Sequence, residues 1–487
     1  MQRKILTSLS LGIILSTSLV HAQTNKPKQA LKTNGQLIYK KQKNVDSFTQ
    51  MFQEGEFYGR LRNNNFYFWY DSEQTDKNRQ LINAIGGSFV YKSAIYNGFD
   101  FVSGLYGSHA FFDETKLDSI SALKPGKDTL SRFEYVNTGS KSLYAFAQAN
   151  IGYRFSKSKV TLGRQLVETF YTKSNDTKMI PNSFDGIVLA SKDLQNTNVK
   201  LAYLAKEKLR DHKDAHAVFM VGDANSSQSI KPQWSEQDDS AMHKGLTYSA
   251  FKTHGKKTDA PLIVLDAQNN SVKNLKINFA SYVVPSLLSQ AMGELNYKIP
   301  LHTFSITPGI RYIHQFDNGA GSVGGASITT RGLTGYKDAH SLNSDMIAAR
   351  LVTKIKDYKI NLAYTQVFDK ADLVTPWRGF PTAGYTRSMG VYNWRANIKS
   401  YRIELVKGAN SKGIYTKPFL QTSILYMDGD KKKNETDSIL YYAGIVQNIP
   451  SIQQLQYRVR LGWRDFIGDS SAIPSYLDAR FELNYLF

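Results

Sequence analysis

The last seven residues, Phe481-Glu482-Leu483-Asn484-Tyr485-Leu486-Phe487, set Phe481, Leu483, Tyr485 and Phe487 on one side and Glu482, Asn484 and Leu486 on the other. Alternation at period two is a strand with one apolar and one mostly polar face. A terminal strand that ends on an aromatic, after a whole chain of similar strands, is how a transmembrane β-barrel finishes. The competing reading is the edge strand of a soluble sandwich.

The other end weighs for the barrel. Met1-Gln2-Arg3-Lys4 is basic, Ile5 to Val20 is apolar, and Val20-His21-Ala22 supplies small residues for cleavage. This is the layout of a signal peptide, expected at 1–22. The alternative, a permanent anchor helix, is weakened by Thr7, Ser8, Ser10, Ser16, Thr17 and Ser18 inside the apolar run. The mature chain would have 487 − 22 = 465 residues.

No later stretch offers about 18 continuous apolar residues, so no membrane-spanning helix is expected. Mean hydropathy is −0.39, yet Tyr (29) and Phe (26) are abundant. A barrel reconciles the two, because only alternate residues face lipid and aromatics gather at both interfaces. Cysteine is absent, so an exported fold of this kind is held by a closed hydrogen-bonded ladder and not by disulfides. Net charge is +20, or +18 without Arg3 and Lys4. Such a balance suggests nucleic acid first, but here the basic residues recur at strand spacing, which suggests a lining. No nucleic-acid partner is expected.

Residues 23–53 are polar and basic without alternation, and read as a periplasmic N-terminal extension with a short helix around Val45–Phe52. Residues 54–487 parse as strands at 57–70, 80–92, 97–109, 143–155, 159–167, 185–192, 198–206, 260–268, 274–284, 290–299, 303–315, 345–355, 359–368, 392–407, 416–427, 438–448, 454–465 and 476–487. The expected fold is all-β: an antiparallel up-and-down barrel of eighteen strands, an even number as a closed single-chain bacterial barrel requires. Short turns alternate with long connections at 110–142, 168–184, 207–259, 316–344 and 369–391. The connection 285–289 is short although it belongs to the long-loop side.

Parity then places the charges. In 454–465, Tyr457, Val459, Leu461 and Trp463 oppose Gln456, Arg458, Arg460 and Arg464. An Arg facing lipid at the midplane costs roughly 2–4 kcal/mol, so the arginines face the lumen. The same argument turns Arg154 inward from 143–155, with Ala145, Ala147, Ala149, Ile151, Tyr153 and Phe155 outward. It turns Arg311, Arg350 with Lys354, Arg60 with Arg62, and Arg395 inward as well. The sum is a basic track, which in a narrow low-dielectric channel concentrates anions. The bland alternative is a wet wall whose arginines pair with loop acids. Alternation fails twice: Arg164 shares parity with the lipid-facing Val160 and Leu162, which a bulge at Gly163 would resolve, and 392–407 needs a bulge near Ser400.

Glu54-Gly55 leading into Arg60-Leu61-Arg62, Leu162-Gly163-Arg164-Gln165, Met179-Ile180-Pro181-Asn182-Ser183-Phe184-Asp185-Gly186 and Trp377-Arg378-Gly379-Phe380-Pro381-Thr382 resemble the OprD-like outer-membrane porins from about Glu54 to Phe487. The resemblance implies an eighteen-stranded barrel, often in homotrimers, in the Gram-negative outer membrane with its lipid and lipopolysaccharide. It implies long extracellular loops folded into the lumen, a ladder of arginines opposite an acidic patch, and passage of small carboxylate-bearing solutes. Carried over, the loop after Gly163-Arg164-Gln165 becomes a constriction with Tyr171, Lys173, Asp176, Pro181, Asn182 and Ser183, and Arg164 stands at the narrow point. A second element carries Asp372, Trp377 and Arg378. Pro and Gly that merely shape turns are the alternative for both loops.

His212 and His216 with Asp211 and Asp214 have a spacing that could bind a metal on a helix, but no His-Glu-x-x-His is present and solvated loop residues are expected. The Gly cluster at 319–325 lacks the Gly-Lys-Ser/Thr of a phosphate loop. No nucleophile–base pair can be assembled, so neither an enzyme nor a cofactor is expected. The favoured reading is a passive diffusion channel. A surface adhesin using the loops 207–259 and 316–344 ranks second, and an outer-membrane enzyme third.

Overall fold

The computed structural model describes residues 27–71, 79–114, 128–174, 176, 178–219, 243–329, 332–375, 384–468 and 474–487. The segment 1–22, expected as a signal peptide, and the expected constriction residues Trp377 and Arg378 lie outside them.

In chain order the strands are β1 (Gln29–Leu31), β2 (Leu37–Tyr39), β3 (Asn44–Val45), β4 (Glu56–Tyr70), β5 (Arg79–Lys92), β6 (Ile95–Tyr96), β7 (Phe99–Phe111), β8 (Ser142–Phe155), β9 (Ser158–Gln165), β10 (Ser183–Ser191), β11 (Thr197–Lys208) and β12 (Leu262–Asn269). They continue as β13 (Leu275–Val284), β14 (Leu288–Tyr297), β15 (Ile299–Pro300), β16 (Ser305–Asp317), β17 (Ser344–Ile355), β18 (Tyr358–Val367), β19 (Lys399–Lys407), β20 (Phe419–Asp428), β21 (Asp437–Ile449), β22 (Ile452–Ile467) and β23 (Tyr476–Leu486). Eighteen of them close an antiparallel barrel. The two-residue β3, β6 and β15 are appendages, and β1 pairs only with β2. A short helix, Phe48–Gln53, sits close to its expected place, with Ser47 capping Gln50 N.

The ring is sealed by β23 against β4, from Tyr476 opposite Tyr70 to Leu486 opposite Arg60. One step further, Gly59 N donates to Phe487 O at 2.8 Å and Phe487 N to Gly59 O at 3.0 Å. Sealing leaves no unpaired edge, the condition for placing backbone in hydrocarbon. Phe57 and Phe89 stack near one end of the lipid face, and Trp69 and Trp463 meet near the other, as aromatic girdles do. Between β6 and β7 the turn residues Asn97 (φ 47°) and Gly98 (φ 85°) are both left-handed, as a tight two-residue hairpin turn demands.

Four expectations are corrected. The strand drawn at 392–407 begins at Lys399: Trp394, Ala396 and Ile398 are buried in a loop that enters the barrel, so their phase break with Tyr401 needs no bulge at Ser400. In β8 the register against β7 slips between Gly104 and Leu105, the pairing passing over Ala147. Ala145 and Ala147 are therefore buried, and Tyr144 and Phe146 face outward in their stead. The segment 23–53 is not wholly outside the pore, because the β1–β2 hairpin packs against inward-facing side chains. Gln456 Nε2 donates to Leu31 O at 3.0 Å and Arg458 Nη2 to Lys32 O at 3.2 Å. Finally, His212 and His216 are buried and not solvated.

The apolar core lies inside the barrel. Val167, Tyr171, Leu209, Phe219, Leu246, Phe251, Ile328, Leu373 and Trp394 come from the long connections. They pack on the inner-wall residues Leu262, Tyr282, Met292 and Met346. The loops thus fill part of the lumen with a packed core, and what remains open is polar.

Candidate functional site

The loop 166–182, between β9 and β10, crosses the lumen. At one end Tyr171 is buried edge-on against Tyr282, ring centroids 4.8 Å apart. At the other, Met179 and Ile180 pack with Tyr58, Val90 and Tyr106. Between these anchors Asp176 lies 3.2 Å from Arg60 Nη1 and 3.1 Å from Arg62 Nη1. Arg62 also donates to the carbonyl oxygens of Lys178 and Met179, and Arg60 to Asn484 Oδ1 at 2.9 Å. Arg60 and Arg62 are buried, so they clamp the loop to β4 and do not line free space. Pro181, Asn182 and Ser183 are buried too. Asn182 N donates to Ser174 O, and Asn182 Oδ1 accepts from Arg210 N, both at 2.8 Å. Asp128, from the connection after β7, meets Lys178, Arg210 at 2.9 Å and Arg480 at 3.8 Å, tying a third segment to the same floor.

The loop 368–398 is pinned by Asp372. Its carboxylate accepts from Ile328 N (3.0 Å), Ala396 N (2.8 Å) and the Tyr336 hydroxyl (2.8 Å). Val374 O accepts from the Tyr282 hydroxyl and from Gln290 Nε2, both at 2.7 Å.

Between these loops and the wall remains a cavity of about 630 Å³. Seven basic residues line it, Lys173, Arg311, Arg350, Lys359, Arg387, Arg402 and Arg460, against the acids Glu168 and Glu404. Arg311 pairs with Glu294, and its guanidinium lies 4.9 Å from the Phe170 ring centre and 4.4 Å from that of Tyr385. Arg350 lies 4.2 Å from the Tyr385 centre and donates to Asn296 Oδ1. Arg402 pairs with Glu404, which also lies 3.9 Å from Lys359 Nζ. Arg460 pairs with Glu482. The acids lie deeper than the bases: the Glu294, Glu404 and Glu482 side chains are 6%, 6% and 2% exposed, against 11% and 9% for their direct partners Arg311 and Arg402, 17% for Arg460, 29% for Arg350 and 40% for Lys359. What a solute meets is the cationic side of each pair.

Of the residues expected from sequence, Arg311, Arg350, Arg460 and Lys173 meet at this cavity. Arg458 is covered by the β1–β2 hairpin. Arg154 stands by the turn after β8, 2.9 Å from Asp100. Arg464 donates to Ser438 Oγ at 3.1 Å, further along β22. Arg395 belongs to the loop before β19, where it pairs with Glu435. Arg164 follows Gly163 (φ 111°) and pairs with Asp185 at 2.6 Å on the same side as Leu162 and Ile187, which face outward, so the turn at Gly163 does not carry it to the narrow point. Lys359, Arg387, Arg402, Glu294, Glu404 and Tyr385 were not picked out from sequence. Arg402 and Glu404 alternate with Tyr401, Ile403 and Leu405 and were within reach of the parity argument. Among the described residues no cluster of three or more His, Cys, Asp or Glu could hold a metal ion.

Solved structures share this architecture at low identity. OccAB3 of Acinetobacter baumannii matches with a TM-score of 0.65 at 14% identity, over 89% of this chain and 99% of that one. OccK9 (OpdG) of Pseudomonas aeruginosa gives 0.66 at 12%, over 90% and 99%. OpdK of Pseudomonas aeruginosa, solved with vanillate, gives 0.62 at 11%, over 89% and 98%. Among curated proteins none matches the sequence. The family described as outer membrane porin, OprD family, matches residues 57–437. With most of the barrel under that match, the chain belongs to the OprD family of porins and is a channel protein of the Gram-negative outer membrane.

Proposed function

We propose that this porin passes small anionic solutes, and carboxylate-bearing ones in particular, by passive diffusion. The observation that carries the reading is the imbalance at the cavity: seven basic residues against two acidic ones, with the bases the more exposed members of their pairs. In a confined polar space between low-dielectric walls such an imbalance raises the local anion concentration. A guanidinium fork fits a carboxylate in bidentate fashion, better than it fits a spherical ion. The vanillate in the OpdK structure, an aromatic carboxylate, agrees in chemistry. The test is the reversal potential across a salt gradient in a planar bilayer. The intact protein should prefer anions, and Arg350→Gln with Arg460→Gln should lower that preference. Unchanged selectivity in the double variant would sink the reading.

The barrel also has a face suited to a second copy. Asn63 and Asn65 on β4 and Asn83 on β5 share parity with the exposed Leu61, Leu81 and Ile85. They bond to one another, Asn65 Nδ2 to Asn63 Oδ1 at 2.7 Å and Asn83 Nδ2 to Asn65 Oδ1 at 2.5 Å. Asn63 is midway along the strand between Phe57 and Trp69. Polar amides at that depth face hydrocarbon at a cost that a neighbouring barrel would relieve, which supports association with further copies, in keeping with the homotrimer the resemblance implies.

A further inference from the structure

The segment ahead of the first barrel strand runs up inside the pore. Gln29 Nε2 fixes its base, donating to Gly59 O at 2.6 Å and Phe487 O at 3.3 Å, at the seam of the ring. From there β1 climbs along β22: Gln456 takes Leu31 O, and Arg458, two residues on, takes Lys32 O. Thr33 N donates to the Tyr415 hydroxyl at 3.3 Å, from the connection between β19 and β20. On the return, Tyr39 meets Tyr58 edge-on at 4.7 Å, with Lys92 Nζ 4.4 Å from its ring centre. Leu31 is 1% exposed. The tip, Thr33, Asn34 and Gln36, lines the same cavity as Arg402 and Arg460.

We infer that the hairpin Gln29–Tyr39 is a resident wall of the constriction, which sets both the width of the passage and the length of its basic track. It works by occupation, because two paired strands fill a slab of lumen about 10 Å across. It also works by cover. Arg458 and Arg460 project from the same strand face, but the Arg458 side chain, under Lys32, is 3% exposed and that of Arg460 is 17%. The track therefore ends at Arg460, although the β22 sequence continues it.

The inference rests on the channel reading, and the experiment separates the two. Single-channel conductance and reversal potential are measured for the full-length protein and for a variant lacking residues 29–39. Deletion should raise conductance about twofold or more, for a slab of that width, and should increase anion preference. Adding Arg458→Gln to the deletion should abolish the gain in preference and keep the gain in conductance. Unchanged conductance on deletion overturns the inference. A full-length protein without conductance overturns the channel reading, not the hairpin's place. Should the deletion fail to fold, Asn34→Cys serves, since the chain has no other cysteine. Labelling it with a thiol-reactive sulfonate should lower the current stepwise, and complete labelling by mass with no loss of current counts against the inference.

Discussion

Arg62 Nη1 reaches Asp176 at 3.1 Å, and neither side chain is more than 2% exposed. The pair ties the loop that crosses the lumen to the first strand of the wall. With Arg60 at 3.2 Å, one carboxylate serves two buried guanidiniums. Removing the acid strands two charges, and breaking a buried pair from one side costs about 3–5 kcal/mol. Asp176→Ala should release the middle of the loop while Tyr171 and Met179 still hold its ends. Expected are a barrel of unchanged circular dichroism, a lower thermal midpoint and noisier single-channel current. A variant as quiet and as stable as the parent would show that the clamp holds nothing.

Glu404 faces two cations that line the cavity, pairing with Arg402 and lying 3.9 Å from Lys359. Glu404→Gln keeps the hydrogen bonding to Arg402 and removes the negative charge. Anion preference should rise, most of all at low salt, where charge is least screened. A fall in anion preference would mean that Glu404 orders the arginines more than it neutralises them.

The histidine pair should make the packing of residues 209–219 depend on pH. His216 Nδ1 donates to Ala217 O at 2.8 Å, so its bare Nε2 accepts from His212 Nδ1 at 2.6 Å. Protonating His216 would set two N–H groups against each other. Burial first, then Lys208, push the His216 imidazole down to about 4, against the raising effect of its bond to Ala217; burial, His216 and Lys208 push His212 down as well. Arg132 and Arg210 add to the cationic surroundings of His212, and Asp211 Oδ1 lies 3.8 Å from its Nε2. A base held below its unfolded value stabilises the packed loop fully above about 6.5 and loses that contribution as pH falls towards about 4. Conductance fluctuations should grow across that window, and His212→Gln with His216→Gln should flatten the response.

Asn65→Leu with Asn83→Leu replaces the outward polar cluster by hydrocarbon. The isolated barrel should be as stable or more so, and chemically cross-linked trimers should become fewer. Trimers undiminished in the double variant would remove the cluster from the interface.

The barrel was legible because period-two alternation is local: each strand carries its own inside and outside. Where apolar residues face inward the signal misleads. Residues 392–398 alternate like a lipid-facing strand, yet Trp394 and Ile398 are buried by loops folded inward, and an apolar partner made of loop leaves the same pattern as lipid. The hairpin left no signal at all, since β1 and β2 are three residues each and are held by Gln456, Arg458 and Tyr415 from far along the chain. The arginines divided in a similar way. Parity found which faced in, but only contacts separate Arg62, which holds a loop, from Arg350, which faces the cavity.

The seam at Gly59 and Phe487, with Gln29 bonded to both, imposes an order on assembly. β4 has to wait for β23, the last barrel strand to be synthesised, before the cylinder exists. The hairpin that precedes β4 is bonded to that seam, so the earliest part of the barrel's architecture ends up enclosed by the latest. A factor that inserts this protein into the membrane therefore handles an open sheet until β23 arrives, and a chain stalled before β23 would present the unpaired β4 edge for capture by a neighbour or a protease.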